Sequence, residues 1–332
     1  MPLRLIFAAA ALCFAGVAGG AIAAERPAAG GMAPDPAPFF SFNQNRFSYS
    51  YIFTATNPGS GNTAKSVFSF THIDAWAYGT NLVNVDVLKS DTRDPIRKCE
   101  DDTCPGATEI YGFFRSTVGL NELFGTKAFS FGPLRNVSLE IGGDANFDNN
   151  SASGQKRSGV VGVQLNFGLP YGGILNVAAL AYKEINHNEF LKPVFNNGIG
   201  VWSGDADFRP TWSVEANYHM DLGFLPAYLP LSLSGRAALV GPKGAGTSIS
   251  IPGNLNTKTE FNSEQRLTWD VSRSLWGPAQ AHRIEVWGAY RYWQNKFGLD
   301  HTRSNTCTAA VDPYARGSCT EQSWVAGVSF VF

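Results

Sequence analysis

Beyond residue 24 the chain holds no run of the roughly 18 apolar residues that a membrane-crossing helix requires. Instead, segments of about ten residues alternate apolar and polar side chains, the period of a β-strand with two unlike faces. Thr211 to Met220 is the clearest. Trp212, Val214, Ala216, Tyr218 and Met220 share one face, and Thr211, Ser213, Glu215, Asn217 and His219 the other. Lys258 to Val271 puts Lys258, Glu260, Asn262, Glu264, Arg266 and Asp270 on its polar face. With 35 Gly and 18 Pro the chain is a poor former of long helices, so the fold class is all-β. Alternation alone leaves two architectures open, a soluble sandwich and a closed antiparallel transmembrane β-barrel.

The two ends of the chain separate these. Arg4 precedes an apolar run from Leu5 to Ala18, and Ala21-Ile22-Ala23 offers a cleavage site before Ala24. Residues 1–23 read as a signal peptide. A retained anchor is the rival, but Gly19-Gly20 and the small residues at the exit favour cleavage, and bulky Leu12 argues against lipidation at Cys13. Residues 24–44, rich in Ala, Pro and Gly at their start, read as a flexible periplasmic lead-in, and 45–332 as the barrel. At the other end, Trp324, Ala326, Val328, Phe330 and Phe332 alternate to the last residue. That pattern resembles the terminal strand by which outer-membrane barrels are recognised for assembly, so Phe332 is the expected assembly signal. The expected location is therefore the bacterial outer membrane.

About twelve strands are expected, near 46–54, 65–76, 80–89, 108–119, 137–146, 159–168, 173–185, 209–220, 231–240, 258–271, 282–297 and 322–332. An even count puts both termini on the periplasmic side. Even-numbered links near 77–79, 169–172, 221–230 and 272–281 are short, and odd-numbered links are longer and polar. The fourth link, 120–136, is long for a periplasmic turn. Four cysteines remain after the signal, and an even count in an exported chain implies disulfides, Cys99 with Cys104 and Cys307 with Cys319. Zinc is the rival for the first pair, but no His lies near it. Both pairs fall in outer links.

Glu109-Ile110-Tyr111-Gly112-Phe113-Phe114-Arg115 runs through Leu120-Asn121-Glu122-Leu123-Phe124-Gly125 to Ser130-Phe131-Gly132-Pro133-Leu134-Arg135. This segment resembles one in the nucleoside-specific channel family (Tsx-like, with the related OmpK proteins). Thr71-His72-Ile73-Asp74-Ala75-Trp76-Ala77-Tyr78-Gly79-Thr80-Asn81 is similar to a hairpin of the same family, departing from it at Ile73, Ala75 and Thr80. The resemblance covers about a third of the mature chain, mostly 65–147. It implies a monomeric twelve-stranded barrel with a narrow channel for nucleosides.

Alternation predicts the inward, channel-lining set: Asn84 and Asp86; Glu109, Tyr111, Phe113 and Arg115; Gln164 and Asn166; Glu215, Asn217 and His219; Arg283, Glu285, Trp287, Arg291 and Trp293. Mixed charges there argue against strong ion selectivity. Tyr111, Phe113 and Trp287 either stack on a nucleobase, worth about 1–3 kcal/mol per base, or pack the wall. For 65–76 a bulge would switch faces, which leaves the side taken by Asp74 and Trp76 open. Outward Tyr49, Tyr51, Tyr290, Tyr292 and Trp324 fit interfacial girdles.

With 26 Lys and Arg against 27 Asp and Glu, the net charge of −1 excludes a dominant nucleic-acid surface. His72, His187, His219, His282 and His301 stand in no nucleophile–base or metal motif, so neither catalysis, a metal nor a cofactor is expected. The expected function is passive passage of small polar solutes, most of all nucleosides, with a general porin and a phospholipase-like barrel as alternatives. Expected partners are outer-membrane lipid, the barrel assembly machinery and the solute.

Overall fold

The computed structural model describes residues 39–59, 61–92, 106–149, 154–187, 205–244, 257–304, 307–308 and 316–332. The expected signal peptide and the Cys99–Cys104 pair lie outside the described residues. The strands are β1 (Phe40–Thr56), β2 (Asn62–Trp76), β3 (Gly79–Ser90), β4 (Thr108–Gly119), β5 (Leu134–Asp148), β6 (Gln155–Gly168) and β7 (Ile174–His187). They continue as β8 (Asp205–Asp207), β9 (Thr211–Asp221), β10 (Leu231–Val240), β11 (Glu260–Asp270), β12 (Ile284–Gln294) and β13 (Thr320–Val331). Two short helices, α1 (Leu120–Leu123) and α2 (Val271–Trp276), sit in links between strands.

Each long strand pairs antiparallel with its neighbours, and β1 pairs with β13 while β6 pairs with β7, so twelve strands close into a ring. Closure is what hydrocarbon demands, since an unpaired amide there has no water to bond. The seam is completed at the last residue: Asn45 N–H donates to the Phe332 carbonyl and Phe332 N–H to that of Asn45, each at 2.9 Å. Short β8 stands apart from the ring and, among the described residues, pairs only with the end of β7, at Ile185–His187. Neither β8 nor the start of β1 fits the expected boundaries. Residues 40–44, assigned above to a lead-in, are already strand, because Phe42 through Asn45 find partners in Ala75 through His72.

The exterior inverts the pattern of a soluble protein. Phe47, Phe68, Phe114, Ile141, Val161 and Leu267 stand exposed on the outer face, while Arg46, Asn84, Glu140, Glu184, Arg266 and Glu321 are buried inside. Only a lipid surround makes such an exterior favourable. Tyr290 packs against Trp324 at 5.1 Å, and Tyr49 against Phe68 at the same separation, as outward girdle pairs.

No bulge interrupts the β2–β3 register from Lys65 to Trp76. Ile73 therefore faces inward opposite Leu82, and His72, Asp74 and Trp76 stay on the outer face. Asp74 is satisfied there by Asn81 Nδ2 at 2.8 Å and by the His72 ring at 3.2 Å. The two-residue turn at 77–78 needs Gly79, because a Cβ there would lie 1.8 Å from the Thr117 carbonyl oxygen.

The long fourth link is knitted by one side chain. Asn121 Nδ2 donates to Ser130 Oγ (2.8 Å) and to the Arg135 carbonyl (3.2 Å), while its Oδ1 accepts from Phe129 N–H (3.0 Å). Phe124, Phe131, Tyr171, Phe224, Tyr228 and Trp276 are exposed in the links on this side. On the opposite side, Cys307 and Cys319 form a disulfide, with Cα atoms 5.3 Å apart.

Candidate functional site

The pleat of each strand decides which side chains meet in the lumen. The structure puts Asn84 and Asp86 of β3, Glu109, Tyr111, Phe113 and Arg115 of β4, Glu215 and His219 of β9, and Glu285, Trp287 and Arg291 of β12 on the inner face. Arg283 departs from the expected set: it precedes β12 in the periplasmic link and is exposed. The strand starts two residues later than alternation suggested, because Asp270 and Ser272 take up the His282, Arg283 and Ile284 amides as a turn.

Ion pairs tie most of these groups together. Lys65 Nζ meets Glu109 at 2.9 Å, Arg46 meets Glu285 at 2.5 Å, and Arg266 meets Glu264 at 3.0 Å. Arg291 lies between Glu264 (3.6 Å) and Glu321 (3.7 Å). Below Glu215, neutral side chains form a ladder around the wall. Ser138 Oγ donates to Asn166, Asn166 Nδ2 to Asn176, and Asn176 Nδ2 to Asn217, all within 3.0 Å.

A cavity runs from mid-lumen to the long-link end. It is lined by Asp86, Glu109, Tyr111, Asn146, Lys156, Arg236, Asn262, Arg291, Trp293, Lys296, Phe297 and Glu321 among others. A second cavity adjoins it against β4–β7 and β9–β11, sharing Tyr111, Lys156, Arg236 and Asn262 and adding Arg115, Asp144, Tyr182 and Glu215. Tyr111 and Trp293 come from β4 and β12, five strands apart one way round and seven the other, so they stand on nearly opposite walls.

The aromatic residues differ in what they offer a solute. The Trp287 ring fills the space a Cβ at Gly327 would occupy, and Arg266 lies 3.7 Å above its centroid. With 3% exposure and its Nε1–H donated to Ser329, it packs the wall and has no face for stacking. Phe113, 4% exposed, packs on Leu82 beneath the Arg115 guanidinium. Tyr111 borders both cavities, its hydroxyl held by Asp144 at 3.0 Å. Across the lumen, Trp293 and Phe297 lie 5.7 Å apart, and Lys296 caps the Trp293 ring. Phe297 is held at φ 59°, a conformation that costs a bulky residue on the order of 1–3 kcal/mol and persists only when neighbours fix it.

Two loop lysines narrow the mouth. Lys243 reaches Glu184 at 2.5 Å and sits 4.8 Å over the fully buried Phe208 ring. Lys296 bonds Glu321 and, at 2.5 Å, the Thr56 carbonyl. Neither was in the expected set: Lys243 lies in a loop, where alternation assigns no face, and Lys296, inside the expected strand 282–297 at outward parity, follows the actual end of β12 at Gln294 and turns inward. Lys156 was missed because β6 starts at Gln155, earlier than expected, whereas Asp144, Arg236 and Asn262 already stood at inward parity on their strands. Among the described residues no three His, Cys, Asp or Glu side chains group to hold a metal ion.

A closed ring of twelve antiparallel strands, apolar outside and charged within, defines a β-barrel of the bacterial outer membrane. Among solved structures, the chain is similar to the KdgM porin (9% identity, 86% of this chain and 99% of that one, TM-score 0.38). It is also similar to the translocator domain of the autotransporter NalP from Neisseria meningitidis (9%, 87% and 88%, 0.40). A third is the COG4313 outer membrane channel from Pseudomonas putida F1 (8%, 90% and 98%, 0.38). No protein-family model and no curated protein matches the sequence. Such distances carry no substrate from those proteins to this one.

Proposed function

We propose that this barrel is a passive channel for small polar solutes and that nucleosides are its preferred class. The observation that carries the reading is the cavity between Tyr111 and the Trp293–Phe297 pair, where flat apolar surfaces alternate with Asp86, Glu109, Asn146 and Asn262. A nucleoside joins a stackable base to a hydroxyl-rich sugar, and that wall offers both kinds of contact. Base stacking worth about 1–3 kcal/mol favours entry without trapping the solute. Lumen charges of both signs, mostly paired with one another, leave a neutral solute as the natural passenger. The barrel acts as a monomer, delivered by the assembly machinery through the strand ending at Phe332.

Liposome swelling with adenosine or thymidine against sugars of similar size tests the reading. Nucleosides should enter faster, and Tyr111→Ala or Phe297→Ala should cut that advantage by about tenfold. Equal entry of both solutes, untouched by either substitution, identifies a general porin instead.

A further inference from the structure

Arg115 and Glu215 form a bidentate pair, Nε to Oε2 at 3.0 Å and Nη2 to Oε1 at 2.8 Å. Their strands, β4 and β9, are separated by β5, β6 and β7. Four strand spacings of about 4.8 Å part them along the wall, so the pair meets across the lumen as a chord. We propose that this pair is a latch that sets the size limit of the channel, a step that rests on the channel reading above.

The two halves of the latch are built differently. Arg115 is an arm fixed to the β4–β5 wall. Its Nη2 also meets Asp144 at 3.3 Å, its Nε lies 3.6 Å from Glu140, and its Nη1 donates to the Phe114 carbonyl at 2.9 Å. The Phe113 ring supports the guanidinium from 5.1 Å. Gly142, the inward position between Glu140 and Asp144, leaves the arm room to lie there, because a Cβ would come within 2.6 Å of Arg115 Cδ. Among the described residues the Glu215 carboxylate bonds to Arg115 alone, and its side chain is the more exposed of the two, 22% against 10%.

That asymmetry makes opening cheap. Breaking a buried ion pair is costly when it strands a charge. Here the cation keeps two carboxylates on its own wall, and the released anion turns toward water in the adjoining cavity. Glu215 is the moving half, and Arg115 is the fixed catch.

The test uses the full barrel in liposomes with neutral sugars of increasing size, so that a change of pore charge does not itself alter the readout. Folding is verified by heat-modifiable gel mobility. Glu215→Ala should admit larger sugars and raise the swelling rate of a mid-sized one by about twofold or more, with Glu215→Gln, which still hydrogen-bonds the arm, between it and the parent. A closed parent beside a permeable Glu215→Ala supports the latch equally. If the parent passes small sugars and both folded variants show its size limit, the latch is wrong and the channel stands. If neither parent nor variants pass any solute, both readings fall.

Discussion

The two ends of the barrel are secured in opposite ways. At the long-link end, Lys243 and Lys296 leave their loops, turn into the lumen and bury their charges against wall carboxylates, Glu184 and Glu321, each beside an aromatic ring. At the periplasmic end the links are short, apart from the fourth, which Asn121 knits together. They turn Phe124, Phe131, Phe224 and Trp276 outward, where an aromatic ring suits the lipid interface. A long loop pays more ordering entropy and needs an inward anchor, whereas a tight turn is fixed by its own hydrogen bonds. The ends therefore differ in which interaction must be cut to loosen them.

The largest expected effect is at an inward anchor. Lys243→Met removes the cation bonded to Glu184, whose side chain is fully buried, and leaves it the more distant charge of Lys156. Loss of one partner of such a pair costs about 3–5 kcal/mol, here eased by the Tyr182 and Asn186 hydrogen bonds to the same carboxylate. The urea midpoint should fall and protease should cut the outer loops first. Retained protease resistance would show that Lys243 is no anchor.

Next comes the disulfide. Cys307 and Cys319 are 12 residues apart, and opening a loop of that length costs about 3 kcal/mol in the chain-entropy account. Reduction should speed proteolysis of the β12–β13 loop while leaving the periplasmic links untouched. Equal acceleration at both ends would erase the contrast.

The smallest effect belongs to the periplasmic end. A hydrogen bond to Glu285 (3.2 Å) holds the His282 imidazole above its ordinary value; burial opposes this, and the charges of Glu285, Asp270 and Asp221 add to it. A raised His value means stability that is fully present below the unfolded value of about 6.5 and is lost as pH rises through the folded one. The ring is half exposed, so the change is modest. Unfolding midpoints should drop slightly from about pH 5 to pH 9, and His282→Gln should flatten that slope. A parent profile as flat as the variant's would discharge His282 from this role.

Most of the fold is legible in the sequence, because a membrane strand writes its two environments directly into alternate residues. The twelve long strands, the ring they close and the parity of Glu109 through Arg115 all follow from that period. What alternation leaves out is set by partners distant in sequence. Trp287 reads as an open aromatic until Gly327 and Arg266 are seen to enclose it. Phe40 to Asn45 alternate only over Phe40-Ser41-Phe42-Asn43, too briefly to mark a strand, and pair because β2 extends to Trp76 to receive them. Nothing in the local pattern around Lys243 or Lys296 says that either turns inward. The Arg115–Glu215 chord needs the whole cylinder before its ends can meet.

The double hydrogen bond between Asn45 and Phe332 has a consequence for how the molecule comes into being. Hairpins such as β2–β3 can form from nearby residues at small entropic cost, but this contact joins positions almost the full chain apart, and so ranks among the slowest to be made. Until it forms, β1 and β13 are two bare edges, each able to capture a strand from elsewhere. A barrel not yet closed thus carries two exposed borders, and the Asn45–Phe332 pairing removes both at once.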